Sequence, residues 1–386
     1  MNTLPVAARA LLQLLSGLAS DPPLSEDQQR SLLDLADRTH CTLYLPANLA
    51  GDSVAKNAER RRRLWLAYDE AAAALSEHGV EFVLLKGFTH EADFGIDPAC
   101  RYQSDLDFLC LPEDIARART ALQQAGYGEH GRAELSDNHA RPLVKPFTWR
   151  WRGDYFDPDL PISIELHHTL WNLGRDRIQV PGVHHFWNRR TPITIEGRAI
   201  PALAETDRVA FAAVHVLRHI LRNNASPAHT FELACALNPR AADEVFWQTW
   251  MQMHDPQFRA LQAIAFQFAN RWFGATLSPV AEREWRALPE PVQAWFGRYA
   301  FSPLVNLVEP NKDVLWLHLA LLPRRTDRFA VGIRKLIPLH LPGAAEREER
   351  GVLARSRYHA VTLARALLTG SRRRRAAAST ASQTSD

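Results

Sequence analysis

Cysteine is scarce. The chain has four, Cys41, Cys100, Cys110 and Cys235, and no two are spaced as C-x-x-C. That argues against a disulfide framework and suits a reducing compartment, so a cytoplasmic protein is expected. Net charge is also nearly absent, +3 over 386 residues, which gives no overall electrostatic case for long nucleic acid as an obligate partner. No apolar run approaches about 18 residues, so no transmembrane helix is expected. The opening MNTLPVAARALLQLLSGLAS lacks the basic start of a signal peptide, and Arg9 and Gln13 interrupt its apolar run. It reads as an amphipathic helix. Internal repeats are lacking as well.

What is present supports real cores: 46% of residues are hydrophobic, enough for two or three domains. Two helical patterns, LPVAARALLQLLSGL and SEDQQRSLLDLADRT, are separated by the breaker DPP, with Ser25 as N-cap of the second. A longer helix is predicted from Ser53 to Glu77, ending near Gly79. Its run Arg60 to Arg63 is expected to be a solvated face. The period then changes. VEFVLLKG (80–87) and SDLDFLCL (104–111) read as strands, followed by a helix over EDIARARTALQQA. PLVKPFTWRW (142–151) and PISIELHH (161–168) read as two more strands, and TPITIEGRAIPAL as a hairpin turning at Glu196-Gly197. From about Glu205 the chain is helical again. The expected class is therefore α+β, a small mixed sheet flanked by helices. The expected divisions are a helical segment at 1–52, an α/β domain at 53–203, a helical domain at 204–368 and a disordered basic tail at 369–386 carrying Arg372 to Arg375.

The candidate chemistry starts at RYQSDLDFLC, residues 101–110. Random placement of 43 acids in this chain gives about five acid-x-acid pairs, so a bare D-x-D means little. Six such pairs occur, but only Asp105 and Asp107 alternate with an apolar residue inside a strand. A period of two puts both carboxylates on one face, about 6.5–7 Å apart along the chain. Unpaired, they repel and resist ionisation, a cost that a divalent cation removes. Glu165 is the lone charge in the strand ISIEL, and a neighbouring strand can bring it to the same place. Three carboxylates are the hard-oxygen surroundings that magnesium prefers; the alternative is that they are edge-strand acids facing solvent.

The order Leu85-Lys86-Gly87, then Arg101 through Leu109, then Ile164-Glu165-Leu166-His167 resembles the DNA-polymerase-β superfamily of nucleotidyltransferases. It is similar in particular to a poorly characterised family carrying L-K-G, R-x-x-x-D-h-D-h-h and h-E-h-H. The resemblance is strongest over about residues 80–172, extends to about 300, and leaves out the first 50 residues and the tail. It implies that Asp105, Asp107 and Glu165 ligate Mg2+ or Mn2+, and that Asp107 or Glu165 serves as general base. The superfamily's usual glycine-serine or glycine-glycine signature is replaced by Lys86-Gly87-Phe88-Thr89. Gly87 still lets backbone approach a phosphate, and Lys86 offers a point charge. Arg101 either reaches a phosphate, braces the aspartates or forms a structural ion pair. Ser104 either donates to the triphosphate or caps the loop. His167 shares the face of Glu165, where it orients a carboxylate, contacts substrate or is simply satisfied in the core.

The remaining motifs are less specific. His215 and His219 stand four apart on a helix but lack the companions of a zinc site. The eleven tryptophans, Trp149 and Trp151 among them, are expected in the core. Residues 313–341 mix apolar stretches with arginines, as a terminal helix pair with basic rims or as a peripheral membrane or protein contact. The expected activity is metal-dependent transfer of a nucleoside monophosphate from a nucleoside triphosphate to an acceptor hydroxyl or other nucleophile. A non-catalytic nucleotide-binding adaptor and a triphosphate-dependent phosphotransferase are the alternatives.

Overall fold

In the computed structural model, which describes residues 4–18, 23–130 and 138–336, helices flank a small mixed sheet, the α+β class expected. The elements begin α1 (Val6–Leu15), α2 (Glu26–Arg38), α3 (Ala47–Ala50), α4 (Ser53–Glu77), β1 (Val83–Leu85), α5 (Phe88–Phe94) and β2 (Asp105–Leu109). They continue α6 (Ile115–Gln124), β3 (Gly128–Glu129), β4 (Leu143–Val144), β5 (Ser163–His167), α7 (Leu173–Asp176), β6 (Thr191–Ile195) and β7 (Arg198–Ala202). Helices follow: α8 (Glu205–Leu221), α9 (Pro227–Leu237), α10 (Glu244–Met253), α11 (Pro256–Phe273), α12 (Pro279–Arg286), α13 (Glu290–Tyr299), α14 (Ser302–Val305), α15 (Asp313–Ala320) and α16 (Arg325–Leu336). Two compact units divide the chain. Val6–Leu217 with Ser226–Leu288 form one, and the described parts of Met1–Pro5, Arg218–Ala225 and Pro289–Asp386 form the other. The first unit therefore runs across both sequence-based divisions, at 52 and at 203.

Local signals explain where elements start. Ser25 caps α2 in a capping box, accepting from the Gln28 amide while the Gln28 side chain accepts from the Ser25 amide. The hairpin β6–β7 turns at Glu196-Gly197 as the sequence predicts, with both residues at positive φ. The strand predicted over 142–151 is a correction: only Leu143 and Val144 join the sheet. Pro142 and Pro146 lack the N–H that a longer ladder there requires. Trp151, expected in the core, is 46% exposed on this stretch.

The five-stranded sheet has the order β1-β2-β5-β4-β3, with β2 and β5 parallel and the remaining pairs antiparallel. Parallel neighbours need a crossover, and α6 lies between β2 and β5 in the chain. One sheet face packs under α4 and α6: Leu84, Leu106, Phe108, Ile164 and Leu166 meet Leu64, Trp65, Tyr68, Leu75, Ala118 and Leu122. Leu106, Phe108, Ile164 and Leu166 are fully buried, each contributing about 1.5–3 kcal/mol against exposure. A register slip of one residue would expose these four and drive carboxylates into the core, so burial on this face dictates what the other face presents.

In the second unit, Trp295 Nε1 donates to Asp313 O at 2.9 Å, joining α13 to α15. Leu315, Leu317 and Val331 are buried, whereas Trp316, Phe329 and Ile333 are exposed. The predicted contact region 313–341 is thus a helix pair through Leu336. Residues 337–341 and the predicted disordered tail lie outside the described residues. No helix among the described residues is long and apolar enough to cross a membrane.

Candidate active site

The face opposite the core carries the polar residues of both central strands. Along β2, Asp105 and Asp107 alternate with the buried Leu106 and Phe108; along β5, Glu165 and His167 alternate with Ile164 and Leu166. The parallel register sets Asp105 opposite Ser163 and Asp107 opposite Glu165. All three sequence-predicted carboxylates therefore share one surface. Asp107 is 2% exposed, while the Glu165 side chain keeps 20% of its surface.

Such a concentration of negative charge needs compensation, and two side chains face it. Lys86 follows β1, whose Leu85 pairs with Asp107, and its Nζ lies 3.0 Å from Asp107 Oδ2. His167 Nε2 lies 2.8 Å from Asp107 Oδ1 and 3.5 Å from Glu165 Oε2. Burial opposes ionisation of Asp107, yet the Lys86 charge and the His167 hydrogen bond hold its carboxyl well below the ordinary range. Asp105 goes the other way: burial and the Asp107 charge push it up to about 7. Burial also disfavours charged Lys86 and His167, but the surrounding carboxylates win and raise both. Another imidazole, which the sequence does not single out, sits beside them: His139 Nε2 is 3.3 Å from Glu165 Oε2.

Gly87 has a specific steric reason. Its φ is 56° and its ψ −126°, and a Cβ there would lie 2.3 Å from Gln103 Nε2. Gln103 Nε2 in turn donates to Asp105 O at 2.7 Å, which links the Lys86-Gly87 turn to the start of β2.

The arginine run is a correction to the sequence reading. Arg60 is fully buried rather than solvated. Its Nε donates to Gln103 O (2.7 Å), Nη2 to Ser104 O (2.9 Å) and Nη1 to Leu160 O (2.8 Å). One guanidinium therefore grips the segments leading into both β2 and β5. Asn57, one turn earlier on α4, donates to Ala99 O and Arg101 O, each at 3.0 Å. Arg61 pairs with Glu91 and Glu196, and Arg62 and Arg63 pair with Glu59.

Arg101 is buried in an ion pair, its Nε 3.1 Å from Glu232 Oε1 and its Nη2 3.3 Å from Glu232 Oε2. The Tyr44 hydroxyl donates to Glu232 Oε1 at 3.0 Å, and His90 Nδ1 faces Oε2 at 3.4 Å. Burial opposes the Glu232 charge, but Arg101 and His90 hold the carboxyl well below its ordinary range. Ser104 is half-buried and takes part through its carbonyl. Glu232 had a signal in the sequence: it is the lone charge in FELACAL, just as Glu165 is in ISIEL. His139 and Arg60 had none.

One ligand atom from each of Asp107, Glu165 and His167 lies within 4.8 Å of the others, a spacing and donor set that fit a divalent cation. A family model described as an uncharacterised nucleotidyltransferase matches residues 35–274, which contain every residue of this cluster. No curated protein matches the chain.

Proposed function

The chain belongs to a family of uncharacterised nucleotidyltransferases, and from that premise we propose that it moves a nucleoside monophosphate from a nucleoside triphosphate to an acceptor hydroxyl or other nucleophile. The observation that carries this is the parallel register placing Asp107 beside Glu165, with Asp105 on the same face and Lys86 against Asp107. Asp105, Asp107 and Glu165 would hold a divalent cation, Mg2+ or Mn2+. Bound there, it would neutralise triphosphate charge and lower the pKa of the attacking hydroxyl.

The chain's own residues divide the remaining work. Lys86 presents a point charge to the β- or γ-phosphate, and Gly87 leaves room for backbone to approach it. Asp107 is buried between Lys86 and His167, whereas Glu165 keeps part of its side chain exposed beside His139 and His167, so Glu165 takes the proton of the acceptor. The acceptor oxygen bonds to the α-phosphorus as the α–β bridging P–O bond breaks and pyrophosphate leaves. Arg101 acts through Glu232, and Ser104 through its carbonyl on Arg60, both by shaping the segment that leads into β2. His167 orients Asp107.

Calorimetric titration of ATP, GTP, CTP and UTP tests the proposal. One triphosphate should bind only with divalent metal, and binding should vanish in EDTA and in Asp105→Ala/Asp107→Ala. With a working acceptor, Asp107→Asn should lower transfer by about 10³-fold with the fold intact. Release of a nucleoside diphosphate instead of pyrophosphate would point to phosphoryl transfer. Nucleotide binding that persists in EDTA without turnover would point to the adaptor.

A further inference from the structure

The near-neutral total charge conceals two parts of opposite sign. Residues 324–386 hold fourteen basic against five acidic residues, whereas the 323 residues before them hold 32 against 38. The basic part begins at α16, whose two sides differ. Val331 is fully buried, and Lys335, one turn on, donates to Leu221 O, so this side rests on the second unit. Successive helix positions turn by about 100°, which puts Phe329 and Ile333 each about 200° from Val331 and about 40° from one another. Both are exposed, Phe329 at 71% and Ile333 at 46%. Arg328 and Arg334 lie about 100° outside this pair, one on either side, and Arg325 stands one turn before Phe329. All three arginines are exposed, as is Arg324 at the helix start, and Arg328 Nε also donates to Leu322 O at 2.6 Å.

An apolar pair set between arginines on an exposed helix face is complementary to a surface that is anionic outside and apolar beneath. Lipid headgroups give the arginines phosphate and carboxylate partners, and the acyl boundary takes the apolar pair. The arginine stems can lie along that boundary with their guanidinium groups at headgroup level. Nucleic acid would pair the arginines but leave Ile333 in water, because stacking on a base needs a ring. The chain that continues from α16 brings no counter-charge to cover the face: residues 337–386 hold nine arginines against four acids. We propose that the exposed face of α16 docks on an anionic lipid surface, with Phe329 and Ile333 entering the headgroup layer and Arg324, Arg325, Arg328 and Arg334 facing lipid anions. No helix among the described residues can cross a membrane, so the contact is peripheral. It stands independently of the transfer chemistry proposed above.

The test is co-sedimentation of the full chain with phosphatidylcholine vesicles, with and without about one part in four of phosphatidylserine. Binding to the anionic vesicles should be at least about tenfold tighter, and should weaken as NaCl rises from about 0.1 M to about 0.5 M. Arg324→Gln/Arg325→Gln/Arg328→Gln should weaken it by about 10²-fold, about fivefold for each arginine. Phe329→Ser/Ile333→Ser leaves every charge in place and should weaken it by at least about tenfold. All five positions are exposed, so denaturant unfolding of both variants should stay close to that of the parent. Absence of binding, or equal binding to the two kinds of vesicle, would overturn the proposal. So would undiminished binding by Phe329→Ser/Ile333→Ser, which would leave charge attraction alone and no docked face. A labelled single-stranded RNA bound in preference to the vesicles, and released by the triple arginine variant, would assign the face to nucleic acid instead. A dimer in sedimentation velocity that Phe329→Ser/Ile333→Ser dissociates would assign it to a second copy of the chain, and would equally overturn the lipid reading.

Discussion

Arg60 offers the sharpest test of how the cluster is built. It donates to three backbone carbonyls, Gln103 O, Ser104 O and Leu160 O, and is itself fully buried. Arg60→Met keeps the length of the aliphatic stem but removes all three donors. A buried carbonyl left unpaired costs about 1–3 kcal/mol; the bond to Gln103 O is buried and those to Ser104 O and Leu160 O are partly so, and water recovers part of the cost, so the expected loss is about 2–5 kcal/mol. Arg60→Lys keeps the charge but replaces a planar fork with one ammonium that cannot span two chain segments, and about 1–2 kcal/mol should go. Denaturant unfolding measures both losses directly. The functional part of the argument concerns placement. The first two carbonyls lead into β2 and the third into β5, so freeing them loosens Asp105 and Asp107 against Glu165. Misplacement by about 1 Å costs about 10²-fold in rate, and transfer by folded Arg60→Met should fall by that much, with Arg60→Lys between. If Arg60→Met unfolds within about 1 kcal/mol of the parent, the clamp argument is wrong. If it is destabilised as expected but keeps full metal affinity and rate, Arg60 serves the fold and not the site.

Two further perturbations probe the surroundings. Glu232→Gln leaves the Arg101 guanidinium buried without its counter-charge and should cost about 3–5 kcal/mol by denaturant unfolding at neutral pH. The Glu232 carboxyl lies below its unfolded value near 4.5 in the folded protein, so its contribution is complete above that pH and is lost as pH falls towards the folded value. The parent protein should therefore lose stability more steeply than Glu232→Gln between about pH 5 and pH 3, and parallel acid limbs would refute the pairing. Gly87→Ala meets Gln103 Nε2 at 2.3 Å in a backbone region that L residues avoid. It should cost at least about 1–3 kcal/mol in thermal or denaturant unfolding, and a neutral outcome would show that the turn relaxes freely.

Much of the site is visible in the chain itself. Alternation of acid and apolar residues in DLDFL and SIELH is local, and the period of two alone puts Asp105 with Asp107 and Glu165 with His167 on shared faces. The α+β class, the long α4 and the hairpin at Glu196-Gly197 are equally local, because helix period, caps and turn chemistry act over a few residues. The segment 142–151 shows the limit: an apolar and aromatic run resembles a strand, but ladder pairing is decided by partners and by the prolines that interrupt it.

Tertiary structure decided what stands opposite what. Asp107 faces Glu165 because four side chains on the far side of the sheet, Leu106, Phe108, Ile164 and Leu166, must all be buried at once, a condition that joins residues far apart in sequence. Arg101 faces Glu232 across a sequence separation of 131 for the same kind of reason. The run Arg60 to Arg63 shows it most plainly. In sequence the four are equivalent, but successive helix positions turn by about 100°, so only the arginine directed at the chain segments entering β2 and β5 loses its water, and backbone carbonyls replace it.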